Sequence, residues 1–299
     1  MVSSDAKRIR ASLFPCRAVP QLSVAEWREQ ELRDCSDKLL PEGVRVISSA
    51  IAGRHSEWIE NTFTPTKRTI LYFHGGGYVL GGSATRRNVA SRLAIAAAAR
   101  VVVPEYRLAP EHPFPAAVDD AIAVYEALLG QGVKPSSLAV MGDSAGGGLC
   151  AAMLLALRDS GRPLPAVGVL ISPWTDLTLS GESYHTRADC DPIDRIPLLR
   201  RMVAYYVASG DSTNPLASPL FGDLRGLPPM LIQVGDHEVL FDDSVRFAEK
   251  ARASAVCIDL EVWPEMWHVW HTAAPELPEA NEAITQIGAY VRQRTSNVD

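Results

Sequence analysis

The chain has 299 residues, of which 47% are hydrophobic and 21% charged, with a net charge of −6. That supplies the core of one large α/β domain with an accessory part rather than two equal domains. The acidic balance argues against a protein that coats nucleic acid, which needs a basic face, and the longest apolar run, about ten residues, falls short of the roughly 18 needed for a membrane-spanning helix.

The five cysteines, Cys16, Cys35, Cys150, Cys190 and Cys257, are odd in number and widely spaced, with no Cys-x-x-Cys. Neither a disulfide framework nor a zinc site is expected, and a reducing, cytoplasmic setting is the default. Lys7, Arg8 and Arg10 are not followed by an apolar segment, so no signal peptide is expected.

Residues 24–40 mix Glu, Arg and Asp with Val24, Trp27, Leu32 and Leu39. They read as a surface helix capped by Ser23 and ended by Pro41-Glu42-Gly43. From Val44 the texture changes to strands alternating with helices. Strands are predicted at 44–47, 57–60, 69–73, 100–104, 137–141, 167–171 and 229–234, with another around Ile258, Leu260 and Val262. Helices are predicted at 87–99, 119–129, 148–157, 243–253 and 278–292. This alternation implies a mostly parallel sheet covered on both faces, an α/β fold. Between about Leu177 and Ser218 the alternation breaks, and residues 196–207 form an amphipathic helix in what reads as an insertion over the sheet.

The chemistry centres on Gly142-Asp143-Ser144-Ala145-Gly146, set between an apolar strand and an apolar helix. A serine on so sharp a strand-to-helix turn is lifted clear of the sheet edge, and small residues two before and two after it let strand and helix approach. His74-Gly75-Gly76-Gly77 follows the strand at 69–73 and exposes unshielded backbone N–H groups. Two of these can face a developing oxyanion, with Ala145 N–H as a third donor. A phosphate loop is the rival reading. It fails because no Gly-Lys-Ser/Thr follows and Leu80 stands where Gly-x-Gly-x-x-Gly needs its last glycine. A carboxylate is expected after the strand at 229–234. Asp236 is the preferred candidate; Glu238 is an alternative, and Asp242 and Asp243 read as helix caps. The histidine should come last. His268, flanked by aromatics, is preferred over His271, which reads as a surface or supporting residue. Ser144, Asp236 and His268 then stand in the chain order Ser…Asp…His.

These stretches, with Tyr106-Arg107-Leu108-Ala109-Pro110-Glu111, Ser172-Pro173-Trp174 and Ser218-Pro219-Leu220, resemble the hormone-sensitive-lipase-like esterases, bacterial carboxylesterase family IV of the α/β-hydrolase superfamily. The resemblance covers roughly residues 68–272. It implies a triad of Ser144, Asp236 and His268 and an oxyanion hole of Gly76, Gly77 and Ala145, with Gly75 as a further candidate. It also implies a helical cap, built from residues 1–43 and an insertion at about 178–212, over a catalytic domain spanning 44–299. One departure is visible: family members usually carry Gly-Phe after the histidine, where this chain has Val269-Trp270.

On this reading the protein hydrolyses short to medium acyl esters through an acyl-enzyme and needs no metal or cofactor. Leu199, Met202, Val203 and Tyr206 of the cap helix are candidate substrate contacts. A lactonase or acetyl-hydrolase of a small metabolite would use the same machinery. A non-catalytic ligand receptor on the same fold is the remaining alternative. The expected partner is a small-molecule ester, with neither nucleic acid nor membrane; a homodimer through edge strands or the C-terminal helix stays open.

Overall fold

The protein is represented by a computed structural model that describes residues 2–14, 22–35, 40–208 and 210–296. All eight expected strands are present: β1 (Val44–Ile51), β2 (Arg54–Asn61), β3 (Thr69–Phe73), β4 (Arg100–Pro104), β5 (Leu138–Asp143), β6 (Val167–Ile171), β7 (Met230–Gly235) and β8 (Ile258–Trp263). They form one sheet in the order β1-β2-β4-β3-β5-β6-β7-β8. β1 and β2 pair antiparallel, as do β2 and β4; every other pair is parallel. The strands β3, β5, β6 and β7 are buried along their whole length. That accounts for their continuous apolar sequences, since a parallel strand covered on both faces has no side turned to water.

The first two strands run longer than their sequence suggested. Ile51 and Arg54 are paired across a two-residue turn, in which Ala52 and Gly53 have φ of 50° and 74°. Positive φ at both central positions is the twist-compatible hairpin turn. Ala52 hides it, because the usual Asn or Asp is missing from that position.

The helices of the alternating part are α3 (Ser83–Ala96), α4 (Ala116–Gly130), α5 (Ala145–Asp159), α8 (Phe241–Ala253) and α9 (Pro278–Arg294). One apolar cluster joins α4, α5 and α8 to one sheet face; a second joins α3 and α9 to the other. α5 is buried almost all round, which matches its near-absence of charge before Arg158.

The remaining helices are α1 (Ser4–Leu13), α2 (Val24–Cys35), α6 (Ser183–Thr186) and α7 (Ile196–Tyr206). Ser23 caps α2 as expected, its hydroxyl accepting from Glu26 N at 3.3 Å. Residues 36–39 of the predicted helix lie outside the described residues. Arg28 of α2 donates to the carbonyls of Val79 and Ala109, both at 2.8 Å, and pairs with Glu111. Arg201 of α7 donates to Leu22 O at 3.0 Å, so the two places where the α/β alternation fails meet over the same end of the sheet. No described helix is long and apolar enough to cross a membrane.

The contact that positions α5 leaves no room for side chains. A Cβ on Gly146 would fall onto the carbonyls of Phe73 and His74, and one on Gly142 onto the carbonyl of Gly146. Gly146→Ala is therefore expected to lose about 1–3 kcal/mol of stability, read as a lower urea midpoint with an unchanged m-value.

Candidate active site

Ser144 sits between β5 and α5 with φ 54° and ψ −122°. A non-glycine residue at that φ is strained. The strain is held by hydrogen bonds on either side: Ser144 N donates to Ile171 O at 2.9 Å, and Gly148 N and Trp174 N donate to Ser144 O. The side chain opens into a cavity of about 700 Å³, also lined by Gly76, Gly77, Asp194, His268 and Val269.

The loop after β3 is fixed by the residue preceding the serine. Asp143 is fully buried and accepts from Gly75 N at 3.0 Å and Tyr72 Oη at 2.8 Å. Arg86 of α3 pairs with both its oxygens. Burial works against its charge, but Arg86 and the Tyr72 hydroxyl hold the carboxyl below its ordinary range. One buried ion pair thus joins the serine turn to the glycine loop. His74 shapes that loop from the other side. Its Nδ1 lies 2.8 Å from Gly75 O, its ring stacks on Tyr106 at 4.2 Å, and burial lowers its pKa. It is a structural group that shapes the loop. Gly76 and Gly77 have φ of 118° and 61°, and a Cβ on Gly77 would collide with Met202. The N–H groups of Gly76, Gly77 and Ala145 donate to no other acceptor among the described residues, whereas Gly75 N is committed to Asp143. Of the four candidates, three are available to an oxyanion.

The carboxylate on the histidine is Glu238, not the preferred Asp236. His268 Nδ1 lies 2.9 Å from Glu238 Oε2. Glu238 Oε1 accepts from Ser172 Oγ at 2.7 Å and from Gly235 N at 2.6 Å, and the side chain is fully buried. Asp236 is still within the strand register. Its N–H pairs with Trp263 O, and its carboxylate turns away to accept from Glu265 N at 2.6 Å, 3.8 Å from His237. A residue that continues a strand shares the strand's direction; the chain needs the two further residues of the turn to reach the histidine. The reading of Asp242 and Asp243 as caps also changes. Asp243 accepts from Thr175 N, Asp176 N and Tyr184 Oη, and Asp242 from Ser183 N, so both tie α8 to the segment after β6.

His268 is 6% exposed. Burial alone would lower its pKa, but Asp194, Glu238 and Asp191 outweigh it and raise it to about 10. Asp194 was not singled out from sequence; its carboxylate lies 3.3 Å from His268 Nε2. His271 is fully buried rather than on the surface. Its Nε2 lies 2.8 Å from Gln233 Oε1, and burial drops its pKa to about 3, so it is a neutral packing group. Of the candidate substrate contacts, Leu199 and Met202 line the cavity, joined by Leu198. Tyr206 instead stacks on Tyr78 at 3.8 Å, and Val203 packs against the core.

Comparison with known proteins settles the family. The alpha/beta hydrolase fold family matches residues 70–272. This chain belongs to that family. A solved esterase of the bacterial hormone-sensitive lipase family is 41% identical, with a TM-score of 0.95 over 99% of this chain and 100% of the other. An acetyl-hydrolase of Streptomyces hygroscopicus is 48% identical over 240 residues, 80% of each chain. A solved esterase whose crystal was soaked with p-nitrophenyl butyrate is 40% identical, with a TM-score of 0.93 over 98% of this chain and 99% of the other. The hydrolase therefore falls in the bacterial hormone-sensitive lipase branch that its motifs resembled.

Asp143 and Arg86 give a test of the link between the two loops. Arg86→Met leaves a fully buried carboxylate without its cation and is expected to cost about 3–5 kcal/mol in urea unfolding. In the parent, the folded-state pKa of Asp143 lies below its ordinary value. The pair's stabilisation is thus present above about pH 4 and is lost as pH falls through the folded-state value. Arg86→Met should flatten that acid limb.

Proposed function

We propose that the protein is a serine carboxylester hydrolase in which Ser144 is the nucleophile, His268 the base and Glu238 the carboxylate that orients it. The observation that carries this reading is the Glu238–His268 contact behind a strained serine in one cavity. Glu238 accepts from Nδ1–H, which leaves Nε2 to take the Ser144 proton as the hydroxyl attacks the ester carbonyl. The carbonyl oxygen becomes negative and is met by the N–H groups of Gly76, Gly77 and Ala145. His268 then protonates the departing alkoxide, and a water deacylates Ser144 by the same steps. The glycine loop cannot drift from the serine, because Asp143 holds Gly75.

Residues 1–43 and about 178–212 serve as a cap over the catalytic domain at 44–299. Trp27 and Glu31 from α2 and Leu198, Leu199 and Met202 from α7 contribute to the cavity wall, which supports this division. A cavity of about 700 Å³ with the apolar side chains of α7 along one wall suits short to medium acyl chains. The soaked p-nitrophenyl butyrate of one relative and the acetyl-hydrolase activity named for another lie within that range.

With p-nitrophenyl butyrate as substrate, Ser144→Ala and Glu238→Gln are each expected to lower kcat by about 10³–10⁴ or more with the fold intact. Asp236→Asn should stay within about tenfold of wild type; the reverse ranking would return the role to Asp236. Across a p-nitrophenyl ester series, kcat/KM should peak between acetate and octanoate; a maximum at laurate or beyond would contradict the proposed pocket.

The pH dependence has a defined sign. The base form of His268 is the neutral one, and the two flanking carboxylates favour the charged one, with a pKa of about 10 in the free enzyme. kcat/KM for a neutral ester should therefore keep rising above neutrality. A profile that is flat from pH 5 to 8 would count against His268 as the base.

A further inference from the structure

The catalytic reading leaves one buried group in the cavity without a task. Asp194 is 8% exposed and lines the cavity beside His268. Among the described residues its Oδ2 accepts no hydrogen bond and makes a single ion contact, the 3.3 Å approach to Nε2. The side chain is held there by its own loop. Asp191 Oδ1 accepts from Ile193 N at 2.8 Å and Asp194 N at 3.1 Å, while Asp191 Oδ2 accepts from Val239 N at 2.9 Å. Val239 directly follows Glu238, so the loop carrying Asp194 is pinned to the turn that carries the orienting carboxylate.

Among the described residues, the arginines that line the cavity are engaged elsewhere. Arg86 is engaged with Asp143 and Arg87 with Glu57. Glu31 and Asp34 at the α2 side add further negative charge. Burial pushes the pKa of Asp194 up, and His268 and Arg195, the next residue, oppose that by favouring its ionised form; burial and the neighbouring Asp194 likewise raise Asp191 in the same loop.

During turnover Nε2 must face Ser144 Oγ and then the leaving alcohol oxygen, each within hydrogen-bond reach of about 3 Å. Asp194 then loses the ring as its partner, and a buried carboxylate left without a donor is strongly disfavoured. Nε2 hands its proton to the leaving alcohol oxygen, so a carboxylate 3.3 Å from Nε2 stands within reach of the alcohol part of the ester. A hydroxyl or ammonium two carbons from the ester oxygen can reach both regions at once, and a plain alkyl alcohol cannot supply the donor.

We propose that Asp194 is a specificity-determining residue that selects esters whose alcohol part carries a hydrogen-bond donor on the carbon next to the ester-bearing one, as in monoesters of vicinal diols, polyols or amino alcohols. The proposal rests on the ester-hydrolase reading and adds the substrate class to it.

The test compares 2-hydroxyethyl butyrate with propyl butyrate, which replaces the hydroxyl by a methyl of similar size. The full chain is assayed as wild type, Asp194→Leu and Asp194→Asn. Wild type should prefer the hydroxyl ester by at least about tenfold in kcat/KM, as expected for a hydrogen bond to a charged acceptor. Asp194→Leu, which offers no acceptor, should bring the ratio to within about twofold of unity. Asp194→Asn, which keeps a neutral acceptor, should fall between, and it carries the test if the leucine variant does not fold. A wild-type preference below fivefold overturns the proposal, as does a preference that survives both substitutions. Propyl butyrate turnover that is lost in Ser144→Ala keeps the ester-hydrolase reading separate from this outcome. Absence of Ser144-dependent turnover on both esters would sink that reading and this proposal together.

Discussion

The approach of α5 to the ends of β3 and β5 governs the rest of the molecule. Gly142 and Gly146 let backbone meet backbone there, where a Cβ on either would strike a carbonyl. Because the helix starts so close to the sheet, the chain must reverse within one residue, and Ser144 takes the positive φ that this demands. The same closeness brings Asp143 beneath the glycine loop, so its carboxylate can hold Gly75 while Arg86 neutralises it. Ser144 and the proposed oxyanion donors are thus positioned by a single packing constraint rather than by separate devices.

The buried carboxylates around this region differ in their partners, and those partners decide what each can do. Asp143, paired with Arg86, is held ionised. Asp243 lies beside Asp176, and burial with that neighbouring charge raises it to about 8; with Thr175, Asp176 and Tyr184 as donors, it is a structural clasp. Glu238 has two donors besides the histidine, so it keeps its position through a proton transfer at Nε2. Asp194 Oδ2 has none among the described residues, which makes it the member of the group proposed to respond to what enters the cavity.

Much of this was legible before any coordinates. The continuous apolar strands, the helices between them, Ser144, His268 and the glycine loop all follow from period, order and steric need. What escaped the sequence was direction. Asp236, Glu238, Asp242 and Asp243 are four carboxylates within eight residues, and only the turn after β7 decides which faces the histidine. Asp236 continues the strand's pairing with Trp263 and so points away. The end of the apolar strand at Val234-Gly235 was visible, but the length of the turn beyond it was not. Asp194 was missed for a related reason. It lies in an irregular stretch with no periodicity, and its importance comes from the fold setting it against a residue 74 positions later. For His271 only the surface alternative fails, because an exposed and a buried imidazole look alike in sequence; Gln233 reveals its burial only across strands.

Val269 follows the histidine in a left-handed conformation, with φ 52° and ψ 44°. A β-branched side chain is poorly suited to that region of backbone space. It remains because its N–H meets Ser172 Oγ at 3.3 Å, and Ser172 in turn holds Glu238. Its side chain also forms part of the cavity wall. At this one position, then, backbone tension, pocket width and the seating of Glu238 are set together. Glycine here would relax the backbone and widen the cavity, but it would also take a buried side chain out of the apolar cluster beneath α3 and α9, so substrate breadth and stability are tied together through one residue.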